Sequence, residues 1–577
     1  MPYYPTNLMF VVTGLNRARM KGAYLRSCLS ASRAPLLLLC SPFLVGVNYA
    51  AAQQVQAVLI AQHTDTPDKK PATASPSSRQ QGKGDIGIQV QPASPPAERK
   101  ITPEEARELF ASIDETLTWL SKDTGYAIKQ KVKGELASRE QVAKYVDDRL
   151  NDDEDAKRLE RSEIVLKKFG LLPRNFDLHA FLIQLLQEQV AGYYDVKSKS
   201  MYLLDWLSAD SQKPVLAHEL THALQDQNFD LKTWETPKAA KRSDREEFTF
   251  DEDEAATARS AVAEGQGMVT LVDFMLRGTG HTLADAPQVA TMMRSSMTGN
   301  SGFPLLEKAP LMIRESLVFP YGDGLAFEAA LLEKGKDTAF SGAFRRPPQN
   351  THEILDVGSY LKAAPARWLV LPDLRNELGS AYEKYDEGSI GQLDTRILVQ
   401  QYSDKETAAK MAEAWKGGVY YAAGKKDPKL KGSARIGLVY LSRWETEDAA
   451  DQFAKIYGDY LPRRYAKAIP LNVKEVKCVP PESCDAKSVR AFSTEEGEVW
   501  IQRVEGAGVL VSEGFDVATG SKLRAQVLSA NPARLVQVQM RSLMSPLRTS
   551  AVIQDAVGRI LAARISEKIK NSSRPVN

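Results

Sequence analysis

A chain of 577 residues that is 43% hydrophobic and 26% charged carries more apolar surface than one core needs, so composition predicts a multidomain globular protein. Its 75 basic and 73 acidic residues leave a formal charge of +2, which excludes a function dominated by a basic nucleic-acid or anionic-membrane footprint. No phosphate-binding glycine loop stands out either, since Gly82-Lys-Gly84 sits in low-complexity sequence.

Residues 1–52 read as an export signal, with Met20 as an alternative start: Lys21, Arg26 and Arg33 precede an apolar run from Pro35 to Val47, and Ala50-Ala51-Ala52 suits cleavage. The run is short and broken by Pro42, unlike a membrane span. Cys40 follows leucines, but a lipobox wants a small residue where Leu39 stands, so lipid anchoring ranks behind plain export to the periplasm or the extracellular space. Residues 53–100, rich in Gln, Pro, Ser, Thr and Lys, form a linker unable to bury enough surface to fold, either a tether or a pro-segment.

Folding is predicted to begin at Thr102-Pro-Glu-Glu105, a helix start, and residues 102–170 read as helical throughout. Another helix covers 175–186, where His179 is structural. Two short strands, Ala191 to Asp195 and Met201 to Leu204, then flank a Lys-Ser-Lys turn.

Next comes Val215-Leu-Ala-His218-Glu219-Leu-Thr-His222, which places two of the chain's six histidines four residues apart in a helical apolar pattern. Residues so spaced share one helix face, so His218 and His222 can offer imidazole nitrogens to one zinc ion. Glu219 beside them suits a general base that accepts a proton from a water activated by that ion. A catalytic zinc wants a third protein ligand. A long helical pattern over 251–272 supplies Glu264, the acid set deepest among its apolar positions, with Glu252 and Glu254 in reserve as helix caps. Gly265 and Gly267 cost helix propensity there, which is tolerable where a second helix or a metal site approaches closely.

His218-Glu-Leu-Thr-His222 with a glutamate on a later helix resembles the gluzincin zinc metallopeptidases, the peptidase MA-like group that includes the thermolysin-like enzymes. Glu188 to Asp195, Met201 to Leu204, Ala263-Glu264-Gly265 and Phe319-Pro-Tyr321-Gly-Asp323-Gly324 extend the likeness to exported bacterial proteins of that kind, over about residues 170–360. The resemblance implies a zincin-like domain, mainly helical with a small sheet, whose hairpin lies along the cleft and pairs with an extended peptide. Gluzincins often carry an acid four residues after the glutamate ligand, where this chain has Met268; Asp226, four residues after His222, is the substitute for orienting a ligand histidine.

A peptidase also needs an oxyanion donor, for which Tyr321, in a turn before a helix, and His352, in a second turn, are the candidates. Residues 231–250 read as a charged loop bordering the cleft, and 278–304 as a lid bearing a surface His281. The metallopeptidase-like domain is set at 101–375 and a C-terminal α+β domain at 376–577, making the fold class α+β. In the second domain, strands are predicted over 393–402, 436–441 and 499–513, and helices over 405–415, 447–460 and 549–569. Cys478 and Cys484, across a Pro-containing loop in an exported chain, are predicted to form a disulfide. The leading expectation is a zinc metallopeptidase acting on peptides or proteins, with no nucleic-acid partner and no transmembrane segment in the mature chain. The alternatives are an envelope binding protein that keeps the fold and a structural zinc, and an enzyme that hydrolyses a non-peptide amide.

Overall fold

The computed structural model describes residues 100–150, 153–189, 192–235, 252–297, 304–363, 369–472 and 488–532. The export signal, the linker, the Cys478/Cys484 pair and the helix expected at 549–569 lie outside these residues.

Helix α1 (Pro103–Thr124) starts where the sequence predicts: Thr102 and Glu105 close a capping box, Pro103 opens the first turn, and Gly125 ends the helix in the left-handed region. Its buried stripe is Leu109, Ile113, Leu117 and Leu120. The expectation of helix as far as residue 170 fails at β1 (Lys133–Ala137), which pairs in parallel with β3. Its five residues, exposed at Lys133 and Glu135 and buried only at Ala137, are too few and too polar to announce a strand, and tertiary pairing makes them one. Helices α2 (Arg139–Leu150), α3 (Asp153–Phe169) and α4 (Leu178–Gln189) follow, then the predicted hairpin of β2 (Gly192–Asp195) and β3 (Ser200–Leu204), giving a sheet of order β1-β3-β2.

Helix α5 (Ala209–Phe229) carries both histidines and is capped by Ser208, so Pro214 sits inside the helix and not in its first turn. Its central residues from Val215 to Asp226 are all buried, against α1, β2 and α6 (Glu252–Leu276). The lid expected near 290 is a short 3-10 turn followed by α7 (Gln288–Met297), packed on α8 (Leu311–Leu332). Helix α8 absorbs the expected Phe-Pro-Tyr-Gly-Asp-Gly turn, with Pro320 within it. The glycines serve close packing: a Cβ on Gly265 would lie 2.5 Å from the Gly324 backbone, and one on Gly324 would strike the Ala261 carbonyl. Helices α6 and α8 therefore touch backbone to backbone. A single-turn helix, α9 (Thr351–Leu355), starts from an Asn350 cap.

Beyond residue 369 the chain builds a seven-stranded sheet of order β4-β5-β6-β10-β9-β8-β7, every neighbour antiparallel. Its strands are β4 (Tyr382–Ser389), β5 (Trp415–Lys425), β6 (Ile436–Trp444), β7 (Ala468–Pro470), β8 (Val489–Thr494), β9 (Gly497–Val504) and β10 (Gly508–Glu513). Helices α10 (Gln392–Tyr402), α11 (Lys405–Glu413), α12 (Glu447–Arg464) and α13 (Val517–Ala530) accompany it, so the fold class is α+β as expected. The strand expected at 393–402 is helix α10. Its β-branched residues suggest a strand, but the Gly391/Asp394 helix start and the burial of Leu393, Ile397 and Leu398 on one side fix a helix. The run 499–513 is two strands joined by a tight turn. One hydrophobic core extends from Ile101 through α5, α6, α8 and α10 to Val511 on β10. Among the described residues no helix is long and apolar enough to cross a membrane.

Asp273, on the last turns of α6, accepts a hydrogen bond from the Leu283 N–H at 2.5 Å. Burial, reinforced by Asp123, pushes its carboxyl up to about 7. A carboxyl raised in the folded state leaves stability intact below its unfolded pKa of about 4 and removes it as pH climbs towards 7, because the unfolded chain ionises first. Asp273→Asn, which retains an acceptor for Leu283, is expected to raise the melting temperature by roughly a few degrees at pH 8 and to change little at pH 4. Equal shifts at both pH values in scanning calorimetry would show that the carboxyl is not the cause.

Candidate metal centre

His218 and His222 project from one face of α5 towards α6, where Glu264 meets them. The distances are 3.1 Å between the two Nε2 atoms, 3.0 Å from His218 Nε2 to Glu264 Oε2 and 3.3 Å from His222 Nε2 to the same oxygen. All three side chains are at most 2% exposed, and they are the one group of at least three His, Cys, Asp or Glu among the described residues able to hold a metal ion. The fit to zinc can be judged from size. A tetrahedral ion with donors at about 2.0–2.1 Å has donor-to-donor edges near 3.3 Å, close to the triangle these atoms form. Glu264 Oε1 is buried with no hydrogen-bond partner, as suits a carboxylate with a cation to bind. The donors thus suit a metal ion.

The electrostatics agree. Burial alone would lower His222, yet the Glu264 carboxylate and, more weakly, Glu219 raise it to about 9. Burial would raise Glu264, yet the two imidazoles hold it down at about 2. Each group keeps a charge that its surroundings can stabilise only together.

His222 is oriented by Gln225. The Gln225 amide nitrogen donates to the Ala263 carbonyl and to Gln266 Oε1, both at 3.1 Å, and the first of these can only accept. That fixes the amide, so Gln225 Oε1 must face His222 Nδ1 at 2.8 Å and accept its proton. When the ring gives up its second proton, Nε2 is the nitrogen left with the lone pair a metal requires. Gln266 is itself held by Tyr126 OH at 2.8 Å and donates to the carbonyls of Ala339 and Phe340 at 2.9 and 3.1 Å. Beside it Glu328 is fully buried, which pushes its carboxyl well above the usual carboxylate range. Asp226, expected to orient a histidine, instead accepts from Tyr194 OH at 2.9 Å and Lys199 Nζ at 2.6 Å, pinning the hairpin to α5. The network Gln225-Gln266-Tyr126 escaped sequence reasoning because the spacing sought was an acid at the next turn, whereas an amide three residues on does the orienting.

His218 is held by packing. A Cβ on Gly267 would lie 2.6 Å from its ring, and the Tyr321 ring lies along it with centroids 6.2 Å apart and planes at 27°. Thr221 and Thr270 share a 2.7 Å hydrogen bond that fixes α5 against α6. Glu219 is 1% exposed, and its Oε2 accepts the Tyr194 N–H of β2 at 3.0 Å. Glu254, in the first turn of α6, accepts from the N–H and hydroxyl of Thr351 at 3.0 and 2.9 Å. His352 lies in α9, where it contacts Gln392 at 2.5 Å and faces the Trp415 ring, so its partners belong to the sheet half and not to the cluster. β2 is the edge strand of its sheet and is buried along its whole length, with Tyr193 stacked on both Tyr145 and Tyr202.

Residues 380–524 match the model of a domain of unknown function, DUF8575. No curated protein and no solved structure matches the chain. The matched stretch runs from β4 into α13 and contains none of the metal cluster.

If Gln225 sets the His222 tautomer, Gln225→Met, which keeps the volume but cannot accept the Nδ1 proton, is expected to weaken zinc affinity about 10- to 100-fold with the circular dichroism spectrum unchanged. Competition against a fluorescent chelator measures it. An affinity equal to wild type would remove Gln225 from the centre.

Proposed function

We propose that this protein is an exported, zinc-dependent metallopeptidase of zincin-like architecture, with one zinc ion held by His218, His222 and Glu264. The observation that carries this reading is the 3.0–3.3 Å triangle that Glu264, on a second helix, completes with the two histidines of a His-Glu-x-x-His helix. When bound, the ion would polarise a peptide carbonyl and make a water acidic enough to attack at neutral pH. Glu219, held by the Tyr194 N–H beside the cluster, would take the proton of that water and hand it to the departing amine. Of the two candidate oxyanion donors, Tyr321 adjoins a ligand and His352 does not. The ligand carboxylate and His222 would bear the ion's charge, and Gln225 would keep the lone pair of His222 turned inwards.

A second reading is favoured by one specific observation: all four side chains are buried to 2% exposure or less, and structural zinc sites are closed. In that case the ion would stabilise an envelope binding protein. Elemental analysis of the purified full chain and of Glu264→Ala, with casein cleavage measured on both, separates the two. About one zinc per chain with cleavage, both lost in Glu264→Ala, supports the peptidase. Zinc without cleavage, together with a melting temperature that falls on chelation, supports the structural role. Folded wild type that takes up no zinc sinks both.

A further inference from the structure

A cleft of about 420 Å³ lies where the turn after α3 and the start of α8 meet α10 and α12. Five cations converge on it, Lys167, Arg174, Lys308, Arg463 and Arg464, and no carboxylate is among its lining residues. Three of them are matched from behind: Lys167 by Glu163, Arg174 by Glu495 at 2.9 Å and Glu496 at 3.2 Å, and Arg464 by the buried Glu513 at 2.7 Å. Lys308 and Arg463, both exposed, form no ion pair among the described residues. Arg463 lies 5.8 Å over the Tyr460 ring, which also lines the cleft. Leu172, Phe176, Pro310 and Leu311 give the cleft an apolar wall, and Gln401 is its one uncharged polar amide. Leu311 opens α8, whose first turn receives no side-chain cap and so adds partial positive charge.

Like charges gathered in a concave site repel one another, and two of these are left without a counter-charge beside an apolar wall. The cleft is also of the size that small ligands occupy. We propose that it binds a small organic anion, a carboxylate or phosphate monoester carried on an apolar body, with Lys308 and Arg463 on the charged group and Phe176 and Leu311 against the body. Arg and Lys supply charge-assisted hydrogen bonds to either headgroup.

The test is isothermal titration of the full chain as purified with octanoate, octyl phosphate, inorganic phosphate and octanol. One saturable site per chain for octanoate or octyl phosphate is expected, at least tenfold tighter than for inorganic phosphate or octanol. The tighter of the two amphiphiles identifies the headgroup. Lys308→Ala/Arg463→Ala, at exposed positions that leave the core untouched, should weaken that binding at least tenfold without altering the melting temperature of the free protein. Absence of saturable binding by both amphiphiles overturns the proposal, as does an affinity that the double variant leaves unchanged or that octanol equals. Metal content plays no part in these readouts, so the cleft and the metal centre stand or fall separately.

Discussion

Glu219→Gln is expected to retain about one zinc per chain and to lose casein cleavage by about a hundred- to ten-thousand-fold, the usual contribution of a positioned general base. Glutamine matches glutamate in volume, and its carbonyl oxygen can accept the same Tyr194 N–H at the 1% exposed site, so neither packing nor the strand contact need change. Glu219 is not one of the three donors at 3.0–3.3 Å, so metal content should not change either. What disappears is the ability to take a proton. Zinc by elemental analysis and initial rates on the same preparation read the two effects independently. A variant that cleaves like wild type would remove Glu219 from the chemistry, and one that loses zinc would make it a ligand.

Gly267→Ala should be nearly as damaging by an entirely different route. The added methyl would sit 2.6 Å from His218 Cε1 and 2.7 Å from Nδ1, and the imidazole it strikes is fully buried. Glycine is therefore required here by the approach of a ring, at a helix position where alanine would otherwise be preferred. Overpacking of this kind costs about 1–3 kcal/mol. Because the ring must turn to relieve it, zinc affinity is expected to fall by about a hundredfold, at the upper end of the effects seen when a ligand loses its support. Chelator competition and thermal melting read the two losses. Unchanged affinity would mean that His218 has room the structure does not show.

The cluster was legible where it rests on local spacing. His218 and His222 at four-residue separation, and Glu264 deep in an apolar helical stretch, come together as their periodicity implies, and the Gly265/Gly267 pair was readable as a place of close approach. Partners set by tertiary packing were not legible. Gln225 takes the role expected of Asp226 because the hairpin claims Asp226 through Tyr194 and Lys199, contacts 27 or more residues away in sequence. The contact of His352 with Gln392 of α10 likewise joins segments 40 residues apart. In the fold, strongly amphipathic α1 was correct to its cap. Short β1 and the β-branched helix α10 were misread, because pairing and burial overrode local propensity.

The core that runs unbroken from Ile101 to Val511 ties the fate of the two halves together. Asp323, two residues from Tyr321, is gripped at once by Arg294 at 2.5 Å and by Arg396 of α10 at 2.9 Å, and Thr351, bonded to Glu254, also receives the Leu393 N–H at 3.2 Å. Halves joined in this way are expected to melt together, so an ion bound between α5 and α6 would lend its binding free energy to the distant seven-stranded sheet as well. A fragment ending near residue 370 would expose the flanks of α8 and α9 to water. The sheet half is thus a buttress of the centre, whatever else it binds.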